Sequence, residues 1–68
     1  MSTNWDDLKY LLAVARQGTL LAAAERLDTN ASTVSRRIQR LEADAGVLLL
    51  ARQGDRWEPT AEARALLD

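Results

Sequence analysis

The sequence contains no cysteine and no histidine. Without cysteine, the chain forms neither disulfides nor thiolate metal sites. Without histidine, it lacks the commonest general base and the commonest metal ligand at neutral pH, which excludes Ser-His-Asp and Cys-His catalytic devices. Its ten acidic residues are scattered, and none reads as half of a carboxylate pair inside an apolar pocket. We therefore predict a protein that is not an enzyme and that uses no metal and no cofactor.

The sequence also lacks a long hydrophobic run. No apolar stretch approaches the length that spans a bilayer, and the opening residues, MSTNWDDLKY, do not resemble a signal or transit peptide. We expect a cytoplasmic protein with no membrane partner. Because a chain of 68 residues buries only roughly 60% of its unfolded surface, we expect one domain, residues 1–68, with a small core.

Positive charge is concentrated in one part of this chain, although the net charge is −1. Residues 31–56 carry five arginines against three acidic residues, whereas residues 1–30 and residues 57–68 each carry more acidic than basic side chains. Binding depends on the local electric field at the contact surface, so a basic segment between acidic ends is compatible with an anionic partner. The acidic total argues against strong, indiscriminate binding of polyanions.

The first helix is predicted at about 5–17. Asn4 is the predicted N-cap, acidic residues follow in the first turn, and Gly18 is the predicted end because glycine readily adopts the left-handed conformation. Apolar residues recur at helical spacing and predict one buried stripe, formed by Leu8, Leu11, Leu12 and Ala15.

Two more helices are predicted at about 20–27 and 31–45. Thr19 can cap the second helix, and the polar turn DTN ends in Asn30, which can cap the third. Gly46 is the predicted end of the third helix. The apolar side of this helix is formed by Val34, Ile38, Leu41 and Ala45.

After Gly46 the pattern predicts a hairpin at about 47–59. VLLLAR suits a buried strand, QGD is a turn signal, and RWEP reads as the returning strand, with Pro59 near its end. Thr60 can cap a fourth helix at 61–68. Helix, helix, short turn, helix, hairpin and helix together predict a mostly α fold with a small β-hairpin, the winged helix-turn-helix.

The solvent face of the third helix suggests a function. With the core side set by Val34, Ile38 and Leu41, the opposite face carries short polar side chains near the N-terminus and arginines beyond them. Such a helix suits the DNA major groove, because short polar groups approach base edges and arginine reaches guanine or phosphate. The candidate base-edge residues are Ser32, Thr33, Arg36 and Arg40. The alternative interpretation is an ordinary solvated helix face.

Other polar residues are candidates for phosphate or wing contacts. Arg52 and Arg56 bracket the hairpin turn, where they can contact the DNA backbone or the minor groove. The alternative is an ordinary polar hairpin in which Asp55 forms an ion pair with a neighbouring arginine. The remaining candidates are Thr19, Thr29, Asn30 and Arg37. Trp5 and Trp57 are predicted to pack against the core rather than to stack on bases.

Several segments together resemble the N-terminal DNA-binding domain of LysR-type transcriptional regulators. They are AVARQGTLLAAAERL, TVSRRIQRLEADAGV, the Leu49-x-x-Arg52 step and the Thr60-x-x motif, within a correspondence that runs from Trp5 to Leu67. The resemblance implies a bacterial winged helix-turn-helix whose third helix is the recognition helix. It also implies that the fourth helix begins a longer linker helix through which the family dimerises, and that a separate domain, not this one, binds a small-molecule effector.

The sequence departs from the family pattern at three positions. Ala31-Ser32 replaces the usual Gln-Pro at the start of the recognition helix, Leu50 replaces an aromatic residue, and Asp55 stands where a basic residue is common. The missing glutamine predicts an altered or weaker sequence preference.

The sequence therefore predicts sequence-specific binding of double-stranded DNA, at near-palindromic sites, by the DNA-binding domain of a LysR-type regulator. Dimerisation of this chain is expected to be weak or absent. The alternative is a winged-helix protein–protein module that has lost DNA binding. The acidic net charge and the missing glutamine favour this alternative. Charge reversal at Arg36 and Arg40 distinguishes the two.

Overall fold

The computed structural model describes the backbone of residues 5–67 and the side chains of residues 6–67. The elements in chain order are α1 (Trp5–Gln17), α2 (Leu20–Arg26), α3 (Ala31–Ala45), β1 (Leu50–Gln53), β2 (Arg56–Pro59) and α4 (Ala61–Leu67). This is a winged helix-turn-helix, mostly α with a small hairpin, so the predicted fold class is confirmed. The predicted cap Asn4, the side chain of Trp5 and the last predicted helical residue, Asp68, lie outside the described residues.

The helix boundaries follow from local capping. The side chains of Thr19 and Asn30 accept hydrogen bonds from the backbone N–H groups of Ala22 (3.1 Å) and Thr33 (2.8 Å), which satisfies one of the unpaired N–H groups at the start of α2 and of α3. Thr60 does the same for α4 through the Ala63 N–H, at 3.2 Å. At the end of α3, Gly46 has a φ of 74° and donates its N–H to the Glu42 carbonyl.

One apolar cluster holds the helices together. Its members come from every helix and from the segment that enters the hairpin: Leu8, Leu11, Ala13, Val14, Ala23, Ala24, Val34, Ile38, Leu41, Leu49, Leu50 and Ala63. Leu27, Trp57 and Leu67 are partly buried against it. The cluster fixes α3 by its apolar side, which leaves the opposite side of that helix at the surface.

The predicted core positions need two corrections. On α1 the buried stripe runs through Leu8, Leu11 and Val14, whereas Leu12 and Ala15 are only half-buried, because the side of α1 that packs inward is centred on Leu11 and Val14. On α3 the prediction that Ala45 lies in the core is wrong. Residues 43–46 are all exposed, so the last turn of α3 projects beyond the cluster.

The first strand is shorter than the predicted run VLLLAR, since it begins only at Leu50. Val47 and Leu48 are exposed, and the segment before Leu50 bonds to helical residues rather than to a strand. The N–H groups of Leu49 and Leu50 donate to a Glu42 carboxylate oxygen, at 2.8 and 3.4 Å. The Thr60 hydroxyl donates to the Leu48 carbonyl at 2.8 Å. The segment is therefore a connection fixed to α3 and to the start of α4.

The hairpin forms the wing and is fastened to the first two helices. β1 and β2 pair antiparallel, with Leu50 opposite Pro59 and Gln53 opposite Arg56. Pro59 has no N–H to donate, and the N–H of its partner Leu50 donates to Glu42 instead of to β2. Proline at this end of the hairpin therefore removes little inter-strand hydrogen bonding. The Trp57 N–H donates to the Gly18 carbonyl at 2.7 Å, which joins β2 to the turn between α1 and α2.

Candidate nucleic-acid interface

The exposed face of α3 is the candidate interface. Ser32, Arg36 and Gln39 are exposed, and Thr33 and Ser35 are half-buried beside them. Because the opposite side of the helix is anchored by Val34, Ile38 and Leu41, these polar side chains point away from the core. The start of α3 is capped, so the backbone there is regular and its N-terminal polar groups are held in place.

Two open concavities flank Arg36. The first, of about 460 Å³, lies toward the start of α2 and is lined by Leu20, Ala31, Ser32, Ser35, Arg36 and Gln39. The second, of about 400 Å³, is lined by Thr33, Arg36, Arg37 and Arg40. Arg36 thus borders both a surface of short polar groups and a surface of clustered positive charge. The first surface suits contact with base edges, and the second suits contact with an anion.

The second surface contains an ion-pair network that the sequence did not reveal. The carboxylate of Asp7, on α1, is fully buried and accepts hydrogen bonds from Arg40 Nε and Nη2, both at 3.0 Å. It also accepts one from Arg37 Nη1 at 3.4 Å. The hydrogen bond with Asp7, reinforced by Coulombic attraction, raises the pKa of Arg40 above its ordinary value. The sequence predicts Arg40 as a base-edge residue. In the structure two of its N–H groups are already bonded to Asp7, which leaves fewer of them for a base.

The wing arginines are held close to the hairpin and to the adjacent helices. Arg52 Nε donates to the Gly54 carbonyl at 3.2 Å, and its guanidinium lies over the Trp57 ring, 5.5 Å from the centroid. The guanidinium of Arg56 lies against Gly18. Trp57 is half-buried against the core, as predicted. Both arginines are exposed on the same hairpin, on an element separate from α3.

The remaining phosphate candidates, Thr19, Thr29 and Asn30, lie at the starts of α2 and α3. The Thr19 and Asn30 oxygens accept capping bonds, which leaves the hydroxyl hydrogen and the amide NH2 able to donate to an anion. The Thr29 N–H donates to the Ala24 carbonyl at 2.9 Å. Their contact with phosphate stays a prediction.

Sequence reasoning missed Ser35, Gln39 and Asp7. Ser35 and Gln39 follow Ser32 at helical spacing and line the same concavity. The helical period alone therefore places these two residues on the face of Ser32. Asp7 precedes Leu11 by four residues and Val14 by seven, and both of those are fully buried. An acidic residue in register with a buried stripe indicates a buried carboxylate that needs a partner, although the spacing on α1 does not identify that partner.

Among residues 5–67, no helix is both long enough and apolar enough to cross a membrane. Within the same range, no group of three or more histidine, cysteine or acidic side chains is positioned to hold a metal ion.

Comparison with known proteins places the chain in a family. Residues 5–64 match the family described as bacterial regulatory helix-turn-helix protein, lysR family. The HTH-type transcriptional regulator TcbR of Pseudomonas sp. (strain P51) is 46% identical over 61 residues, which make up 90% of this chain and 21% of that protein. The Mau operon transcriptional activator of Paracoccus denitrificans is 39% identical over 64 residues, 94% of this chain and 23% of the relative.

A solved structure agrees with this placement. The crystal structure of a CbnR_DBD-DNA complex superposes with a TM-score of 0.87 at 44% identity, covering 94% of this chain and 74% of that one. The chain spans about a fifth of the length of the curated relatives it matches, and these relatives are transcriptional regulators. With a family match over nearly its whole length, the chain belongs to the LysR family of bacterial regulatory helix-turn-helix proteins.

Proposed function

We propose that this chain is the DNA-binding domain of a LysR-type transcriptional regulator and binds double-stranded DNA with α3 in the major groove. The observation that carries the proposal is the face of α3. Short hydroxyl side chains and Arg36 project from one side of a helix whose other side is fixed in the core. A helix presented in this way fits the major groove, where arginine recognises guanine and hydroxyl groups contact several bases.

We assign the base-edge contacts to Ser32, Thr33 and Arg36. Ser35 and Gln39 are added to this set, because they line the same concavity as Ser32 and Arg36. Contacts with the phosphate backbone fall to the starts of α2 and α3 and to the wing, through Thr19, Thr29, Asn30, Arg52 and Arg56. Phosphate contacts supply most of the affinity, whereas base contacts supply the choice of sequence. The relative CbnR_DBD has been crystallised with DNA, which supports DNA binding by this chain.

Further properties follow from the same proposal. A domain of this type has no catalytic activity and works in the bacterial cytoplasm, associated with the nucleoid when bound. In a full-length regulator, dimerisation proceeds through a continuation of α4, and a separate domain binds the small-molecule effector. The seven residues of α4 span only about 10 Å at 1.5 Å per residue, so the 68-residue chain is proposed to dimerise weakly or not at all.

The alternative function, a protein–protein module that has lost DNA binding, gains no support from the relatives, which are transcriptional regulators. The test of DNA binding is charge reversal at Arg36. Reversal at Arg40 is less informative, because it would place a second carboxylate beside buried Asp7 and disturb the fold.

The experiment is a fluorescence anisotropy titration of a labelled random-sequence duplex at low salt. We expect Arg36→Glu to weaken binding by roughly tenfold, because the change removes a cation from the proposed DNA-facing side of α3 and adds an anion there. The matched control is Arg64→Glu, the same charge change on exposed α4. Equal affinities for Arg36→Glu and the unmodified protein, with circular dichroism showing an intact fold, would falsify the proposal.

A further inference from the structure

We propose that Asp7 is a positioning residue that restrains Arg37 and Arg40, offsets part of their positive charge and so limits the salt-dependent, non-specific part of DNA binding. This inference rests on the proposed function, because it concerns how the same surface meets DNA. Asp7 lies on α1 and does not itself belong to the exposed face of α3. Its effect is exerted through the two arginines that it holds.

The geometry of the Asp7 site restrains both arginines. Arg40 presents two nitrogens to the two carboxylate oxygens, each at 3.0 Å, which is the bidentate arrangement that makes arginine–carboxylate pairs strong and directional. Arg37 is held from two sides, by Asp7 at 3.4 Å and by the Tyr10 ring, whose centroid lies 5.7 Å from the guanidinium carbon. The side chains of Arg37 and Arg40 are nevertheless 39% and 52% exposed, so Asp7 fixes their orientation without burying them. Arg36, the residue before Arg37, is exposed as well.

The burial of Asp7 makes the network hard to exchange. A DNA phosphate that pulled the Arg40 guanidinium away from Asp7 would replace two hydrogen bonds and leave a fully buried carboxylate without its bidentate partner. Leaving a buried charge short of partners is strongly unfavourable. Arg40 therefore stays bonded to Asp7 when DNA binds and meets a phosphate only through the N–H groups that Asp7 does not use, whereas Asp7 does not hold Arg36.

The charge of Asp7 has a second consequence. Three arginines lie within five residues of α3, and a carboxylate at hydrogen-bond distance from two of them lowers the positive potential of this surface. Non-specific DNA binding scales with the number of phosphates that a protein neutralises, and the logarithm of the binding constant falls with the logarithm of salt by about 0.9 per phosphate. Asp7 should therefore keep this slope shallow.

The experiment measures the salt dependence of random-duplex binding for the unmodified protein and for Asp7→Asn, with Glu62→Gln on α4 as a charge-matched control. We expect Asp7→Asn to steepen the slope by about one to two units and to tighten binding several-fold at low salt. The control should change neither the slope nor the affinity comparably. A purely structural role for Asp7 would instead weaken binding at every salt concentration and leave the slope unchanged.

A second pair of variants decides the question even if Asp7→Asn does not fold. Arg36→Ala should make the slope shallower by about one unit, and Arg37→Ala, which leaves the bidentate bond between Asp7 and Arg40 in place, should change it by less than half as much. An unchanged slope in folded Asp7→Asn, or equal effects of Arg36→Ala and Arg37→Ala, overturns the role of Asp7 and leaves the proposed function standing. An unmodified protein that does not bind DNA at low salt overturns both.

Discussion

At the scale of single residues, Gly18 joins three parts of the molecule. It ends α1, its carbonyl accepts the Trp57 N–H from the wing, and the Arg56 guanidinium lies against its Cα. Its φ of 86° lies in the left-handed region, where a side chain is unfavourable by roughly 1–2 kcal/mol. A Cβ added there would also overlap the Arg56 guanidinium, so this exposed side chain would have to move. Glycine therefore suits this position mainly through its backbone conformation.

We predict that Gly18→Ala lowers the free energy of unfolding by about 1–2 kcal/mol, mainly from the backbone strain, because the exposed end of the Arg56 side chain can move aside. Gly46→Ala is the matched control, because Gly46 also has a positive φ, 74°, but nothing lies within 4 Å of the position of an added Cβ. It should show a loss of similar size, from the backbone alone. Urea unfolding followed by circular dichroism measures both, and a clearly larger loss for Gly18→Ala would show that the Arg56 guanidinium is held in place.

At the scale of elements, Glu42 connects the recognition helix to the wing. Its carboxylate accepts the N–H of Leu49 at 2.8 Å, and Leu49 is fully buried. Together with the bonds of Thr60 to Leu48 and Leu49, the wing takes its position from Glu42 on α3 and from Gly18 at the end of α1. Because one anchor lies on the proposed recognition helix, the placement of Arg52 and Arg56 relative to that helix depends on this bond.

Replacing Glu42 by alanine removes the acceptor and leaves the buried Leu49 N–H without its bond. We expect Glu42→Ala to lower the free energy of unfolding by about 1–3 kcal/mol, the cost of an unsatisfied buried polar group. Glu42→Gln keeps a carbonyl oxygen that can accept the same bond, so its loss should be less than half as large. Equal losses for the two variants in urea unfolding would mean that the bond to Leu49 does not anchor the wing.

The local features of the fold were predictable from sequence, because their signals lie in neighbouring residues. Thr19, Asn30 and Thr60 each stand directly before a helix that they cap, and Gly46 stands directly after one. The pairing of Asp7 with Arg40, 33 residues apart, depends on how α1 crosses α3, which helical periodicity does not specify. The late start of β1 likewise depends on a bond to Glu42 that no pattern within VLLLAR contains.

At the scale of the whole molecule, a chain of net charge −1 carries five of its nine basic residues on α3 and the wing. The core holds both elements, and Arg36, Arg52 and Arg56 are exposed on them. Residues 1–30 and 57–68 each carry more acidic than basic side chains. Local positive charge suffices for binding to a polyanion, and the weak overall charge favours contacts at a defined site over indiscriminate attraction.

The most direct test is to follow the backbone amide chemical shifts of the isotope-labelled protein during titration with a short generic DNA duplex, at low and then at physiological salt. We expect shifts clustered at residues 31–40 and 52–56 that fade as salt rises, since the generic contacts are electrostatic. A folded protein that shows no shifts at low salt, or shifts confined to α1 and α4, would contradict this expectation.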